Sequence, residues 1–132
     1  MASSESEPRL DYAKMGGLIP AVVQDSASGE VLMVAFMNEQ AFELTRQTGR
    51  MHYFSRSKNR IWMKGETSGH VQDVVEILVD CDEDSVVFKV RQEGGACHTG
   101  YRSCFYRSLG AQGRLEMNGV PKVFDPEKVY GS

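Results

Sequence analysis

Short apolar runs separated by polar turns dominate the chain up to about residue 92. LIPAVVQD at 18–25 and VLMVAF at 31–36 have strand length and flank SASGE, a turn in which Gly29 supplies a permissive backbone. The two runs predict a β-hairpin. The second is apolar at nearly every position, which predicts burial on both faces. The pattern then becomes helical. In MNEQAFELTRQTG, Asn38 is a good N-cap, Met37 and Phe42 have the spacing of a hydrophobic staple, and Gly49 suits the left-handed position past the last turn. These signals predict a helix over 39–48. Strands are expected over 51–55 and 60–64, joined by a polar turn, and over 71–79 and 86–91. Beyond Tyr106 the pattern weakens, with scattered Gly and Pro. Five or more strands and one clear helix predict an α+β domain built on a mainly antiparallel, curled sheet.

Composition narrows the function classes. The chain has 132 residues, 41% apolar and 25% charged, which fits one soluble domain with a sizeable core. A net charge of −3 argues against a general nucleic-acid or membrane-surface binder. No apolar run approaches the roughly 20 residues needed to span a bilayer. The polar N-terminus lacks the pattern of a secretory signal, and three cysteines are an odd set for a disulfide framework. A reducing, cytoplasmic setting is expected.

Three stretches carry candidate chemistry. The first holds Cys81, Cys97 and Cys104, the last two in the Gly-rich EGGACHTGYRSCFYR. Three thiolates suit Zn²⁺ and leave a fourth position for water, whereas His98 as fourth ligand would close the site into a structural one. Buried free thiols are the plainer reading of the same residues. The second stretch is DCDEDS. If residues 80–84 are extended, Asp80, Asp82 and Asp84 share one face and Cys81 takes the other, hard oxygens for Mg²⁺ or Ca²⁺ on one side and a soft thiolate on the other. Carboxylates at that spacing repel one another, and a cation would offset the cost. A solvated acidic turn is the simpler alternative. The third is RSKNRIWMKGETSGH, with Arg56, Lys58, Arg60 and Lys64 to hold an anionic group, Trp62 to stack on a base, and a Gly- and hydroxyl-rich loop from Gly65 through Ser68 to Gly69. His70 is a candidate acid or base, and so is His98.

In order, IPAVVQD, GEVLMVAFMNEQA, HYFSRS, IWMKGETSGH, DCDEDS and ACHTGYRSCF resemble the phosphoribosyl-AMP cyclohydrolase family of histidine biosynthesis, over about Leu18 to Tyr106. The family more often has Pro where Gly95 stands. The resemblance implies hydrolytic opening of the N1–C6 bond of 1-(5-phosphoribosyl)-AMP, the third step of that pathway, with zinc activating the water. It implies an intertwined homodimer with a curled sheet or pseudo-barrel. One Zn²⁺ per subunit is shared across the interface by Cys81 of one chain and Cys97 and Cys104 of the other, and Mg²⁺ sits at Asp80, Asp82 and Asp84. His98, or else His70, would transfer protons. Arg56, Lys58, Arg60, Trp62, Lys64, Glu66 and Ser68 would meet the nucleotide. Residues 1–17 then form a flexible arm, 18–108 the catalytic domain and 109–132 a tail packed on the domain or the dimer. Neither nucleic acid nor membrane is an expected partner. The rival reading is a zinc-stabilised module that binds single-stranded RNA on Trp62 and Tyr53.

Overall fold

Alternation in IPAVVQD makes β1 (Ile19–Asp25) a central strand. Ile19, Ala21, Val23 and Asp25 point inward and are buried, while the residues between them are half-buried. In the computed structural model, which describes residues 9–130, β1 forms the expected hairpin with β2 (Val31–Met37). Residues 1–8 of the expected arm lie outside the described residues. On its other side β1 pairs in parallel with β6 (Val86–Gln92), and β6 pairs antiparallel with β5 (Gln72–Val79). The sheet order is β2-β1-β6-β5. Pro20, which has no N–H to donate, lies just before the β1–β6 ladder begins at Ala21.

The α+β expectation is met, and the strand pairings are mainly antiparallel, with one parallel pair. The sheet is open, not closed into a barrel. The predicted double burial of VLMVAF also fails. β2 is an edge strand, and Val31 and Val34 are exposed. The opposite edge, β5, exposes Val75, Leu78 and Val79.

The helix α1 (Glu39–Thr48) has the expected bounds. The Asn38 side chain accepts a hydrogen bond from the Ala41 N–H at 2.8 Å, and Gly49 ends the helix at φ 76°. Its buried face, Ala41, Phe42 and Thr45, packs onto the sheet, with Phe42 edge-on to Phe88 at 6.1 Å. Phe88 is fully buried, and truncating it to Ala would cost about 3–5 kcal/mol. Two hairpins stand outside the main sheet: β3 (His52–Ser55) with β4 (Arg60–Met63), and β7 (Arg107–Leu109) with β8 (Leu115–Met117). The tail ends in a one-turn helix, α2 (Pro126–Tyr130). Asp125 opens it by accepting from Glu127 N–H, and Pro126 occupies the first helical position, where a missing N–H costs nothing. Among the described residues no helix is long and apolar enough to cross a membrane.

Candidate active site

The β3–β4 hairpin and the loop that follows it build one wall of a cavity of about 440 Å³. Lys58, Arg60, Trp62, Lys64, Glu66 and Ser68 line it, with His98 and Cys104 contributed by the Gly-rich loop after β6. Six of the seven predicted nucleotide contacts therefore converge. Arg56 does not join them: its guanidinium lies 4.6 Å over the Phe36 ring.

Local chemistry explains the shape of the loop after β4. Gly65 adopts φ +88°, and a Cβ there would stand 2.6 Å from the Val71 nitrogen, so the loop closes on itself only with glycine. Glu66 turns back to accept from Met63 N–H at 2.8 Å and lies 3.8 Å from Arg60. Ser68 accepts from His70 N–H. Beneath the loop runs a buried polar chain. Tyr53 donates to Gln72 at 2.5 Å, Gln72 donates to Gln92 at 2.7 Å, and Gln92 donates to the carbonyls of His70 and Glu93. Tyr53 is fully buried, which removes it from the stacking platform that the RNA-binding reading requires. Burial also pushes its phenol well above the ordinary value.

The two histidines differ in placement. His98 is exposed on the cavity wall. His70 is half-buried outside it, edge-on to Phe124 at 4.5 Å and covered by Gly94, with a buried Nδ1 that has no protein partner.

The cysteine loop is pinned from three directions. It folds back on itself through Ala96 N–H to Arg102 O and Cys97 N–H to Tyr101 O. Cys104 N–H donates to Leu32 O at 2.7 Å, and Ser103 donates to Val31 O. Arg102, between the two cysteines, donates to Asp25 at 2.6 Å and to the Gly94 carbonyl at 3.2 Å. Burial alone would raise the Asp25 carboxyl. Hydrogen bonds from Ser28 and Arg102 outweigh it and hold the group below the ordinary carboxylate value.

Cys97 is buried, and its sulfur lies 2.9 Å from Thr99 Oγ1. Although Cys104 is exposed as a residue, protein crowding around its sulfur pushes the thiol up to about 11, with the adjacent Cys97 adding to the effect and Lys64 opposing it. Lys64 is buried, which lowers its ammonium; the neighbouring Cys104 and Cys97 act in the other direction. A pair of adjacent thiols beside a buried cation suits a soft metal, since thiolates are the ligands zinc takes. Cys81 is not with them. It lies in the turn before β6, whereas Cys97 follows the other end of that strand, and seven residues at about 3.3 Å each span on the order of 20 Å.

The aspartates are not extended, so the expected two-faced strand is corrected. β5 ends at Val79, and residues 81–84 form a turn with Glu83 at φ 59°. Asp80 Oδ1 accepts from the Asp84 and Ser85 N–H groups and stabilises that turn. The turn still gathers the carboxylates: oxygens of Asp80, Asp82 and Asp84 lie within 4.8 Å of one another, the one such group among the described residues. Lys14, from the 3-10 turn Tyr12–Met15, sits against them, 3.2 Å from Asp82 and 2.9 Å from Asp84. Its hydrogen bond holds the Asp84 carboxyl down at about 2. An ammonium among three carboxylates marks a place that takes a cation, and all-oxygen donors suit Mg²⁺.

Sequence reasoning missed Tyr130, Ser55 and Met33, which also line the cavity. Ser55 and Met33 were read only as strand positions. Tyr130 has no local signal, because its place depends on how the tail packs.

A model of the family described as phosphoribosyl-AMP cyclohydrolase matches residues 33–106. Proteins named phosphoribosyl-AMP cyclohydrolase are similar over most of their length. The one from Methanothermobacter thermautotrophicus is 60% identical over 114 residues, 86% of this chain and 83% of its own. Those from Methanoregula boonei and Nitratidesulfovibrio vulgaris are 59% and 54% identical, covering 88% and 91% of this chain and 90% and 94% of theirs.

Proposed function

The chain belongs to the phosphoribosyl-AMP cyclohydrolase family, and from that premise we propose that it hydrolyses the N1–C6 bond of 1-(5-phosphoribosyl)-AMP in histidine biosynthesis. The product is the phosphoribosylformimino-aminoimidazole carboxamide ribotide. The observation that carries the reading is the cavity, where basic, aromatic and hydroxyl side chains meet His98 and Cys104. The substrate has matching parts: two phosphates, ribose hydroxyls and a cationic aromatic base.

Cys97 and Cys104 of one chain, with Cys81 of a second copy, would hold Zn²⁺, and Asp80, Asp82 and Asp84 would hold Mg²⁺. Bound zinc supplies a Lewis acid that brings the pKa of water from about 15.7 toward 7. The chain's own groups do the rest. Lys58 and Arg60, exposed at the cavity, meet phosphate oxygens. Trp62 offers a face to the base. Glu66, oriented by Arg60 and Met63 N–H, and Ser68 accept from or donate to ribose hydroxyls. The reaction adds water at C6, which keeps its exocyclic amine and becomes a carboxamide, while N1 departs as an amidine nitrogen. One proton must leave the water and one must reach N1. His98, exposed beside Cys97, is placed to carry it. His70, outside the cavity, is the alternative only if its ring turns.

The separation of Cys81 from Cys97 along β6 supports a homodimer, because a second copy supplies the missing thiol. Val75, Leu78 and Val79, exposed on the edge strand that leads to Cys81, fit burial against that copy.

Absorbance change on mixing with phosphoribosyl-AMP tests the proposal. Turnover should be lost when a chelator strips zinc and should return when zinc is restored. Zinc-replete protein that leaves the substrate intact would contradict it. His98→Ala should retain zinc and lose about a hundred- to ten-thousandfold in kcat, the usual worth of positioned acid–base catalysis. Zinc lost from that variant would make His98 a ligand.

A further inference from the structure

The tail beyond the family-matched residues is built into the cavity. Val123 N–H donates to the Gly100 carbonyl at 2.8 Å, inside the loop that carries Cys97 and Cys104. Gly95 and Gly100 leave room for this contact: a Cβ on Gly95 would stand 2.9 Å from the Phe124 ring, and one on Gly100 would stand 2.7 Å from the Phe124 carbonyl. The Phe124 ring also rests on His70. From that anchor, Asp125 and Pro126 start the one-turn helix that ends at Tyr130. The Tyr130 ring lies 6.2 Å from Phe124 and forms part of the cavity wall, as Trp62 does. Its side chain spends apolar surface in the open: Tyr130 is 41% exposed.

We propose that Tyr130 is a nucleotide-binding residue whose ring stacks on the adenine of the substrate. An N1-substituted adenine is a flat cation, and aromatic faces bind such rings by stacking and by cation–π attraction. Anchoring through Gly95, Gly100 and Phe124 brings the ring to the cavity already ordered, so less freedom is lost on binding. The inference rests on the reading that the cavity takes an adenine nucleotide.

AMP is the probe. Its affinity for the metal-replete full chain is measured by calorimetry in wild type, Tyr130→Ala and Tyr130→Phe. Fluorescence of Trp62, the only tryptophan, reports whether AMP enters this cavity. Tyr130→Ala should weaken AMP about five- to a hundredfold, the range of one base–aromatic stack, and Tyr130→Phe should bind like wild type. With phosphoribosyl-AMP the loss should fall on KM, at an unchanged melting temperature. Equal AMP affinity in wild type and Tyr130→Ala would overturn the inference. So would a loss in Tyr130→Phe as large as in Tyr130→Ala, which would assign the contact to the hydroxyl. If wild type binds no AMP, the cavity reading falls and the inference with it. Tyr130-dependent AMP binding without turnover would leave the inference standing and overturn the proposed reaction alone.

Discussion

Lys14 answers a question that the acidic run poses, namely what offsets three carboxylates in one turn. Its ammonium lies within 3.2 Å of Asp82 and Asp84 and is held above its ordinary pKa by hydrogen bonds to both. Asp84, held at about 2 against an ordinary 3.8, contributes stability above the ordinary value and loses it as pH falls through about 2. In Lys14→Met the Asp84 carboxyl should titrate above about 2, because the largest of the contacts that hold it down is gone, as carbon-detected NMR would show. The same variant should bind Mg²⁺ more tightly in calorimetry, since lysine and metal compete for the same oxygens. Unchanged Mg²⁺ affinity would separate the metal from this turn. Arg102 acts differently, through position. Arg102→Lys should keep the charge but lose the forked contact to Asp25 and Gly94, and Arg102→Ala should lose both. Zinc content should therefore fall in the order wild type, Lys, Ala. The residue types of the site were legible in the sequence, because acidic, thiol and basic side chains announce their chemistry. Their partners were not: Lys14 and Asp82 are 68 positions apart, and Arg102 and Asp25 are 77.

Among the elements, those governed by local signals were read correctly. The α1 helix has its cap and terminal glycine within one short stretch, and both work as the sequence implies. The β1–β2 and β3–β4 hairpins follow from apolar runs and short turns. What failed depends on neighbours. β2 is as apolar as a central strand, but sheet order puts it at an edge. The parallel β1–β6 pairing joins segments that no local pattern connects. The 80–84 stretch alternates like a strand, yet Asp80 hydrogen-bonds the backbone ahead of it and turns the chain. The loop after β4 offers a test at this scale. Gly65→Ala places a methyl 2.6 Å from backbone at a positive φ, and should cost about 1–3 kcal/mol in denaturant unfolding. It should also raise KM by displacing Lys64 and Glu66. A variant with native stability and KM would show that the loop has another route.

For the whole molecule, the two groups of candidate ligands lie at opposite ends of β6. The acidic turn and Cys81 lie at one end, the cavity with Cys97, Cys104 and His98 at the other. The strand expected over 86–91 already lay between the candidate ligands, and β6 gives that separation a length of seven residues, on the order of 20 Å. The sequence could not show that Lys14 packs at one end of it and Tyr130 near the other. The proposed dimer, in which each acidic end meets the partner's cavity, would join the two groups. Subunit complementation tests this most directly. Cys81→Ser and Cys97→Ser are each expected to be inactive on phosphoribosyl-AMP. Unfolded and refolded together in equal amounts with zinc, they should regain about a quarter of wild-type turnover, because half the dimers are mixed and each carries one intact site. A mixture as inactive as its components, alongside an active wild type refolded in the same way, would contradict a site shared between two copies.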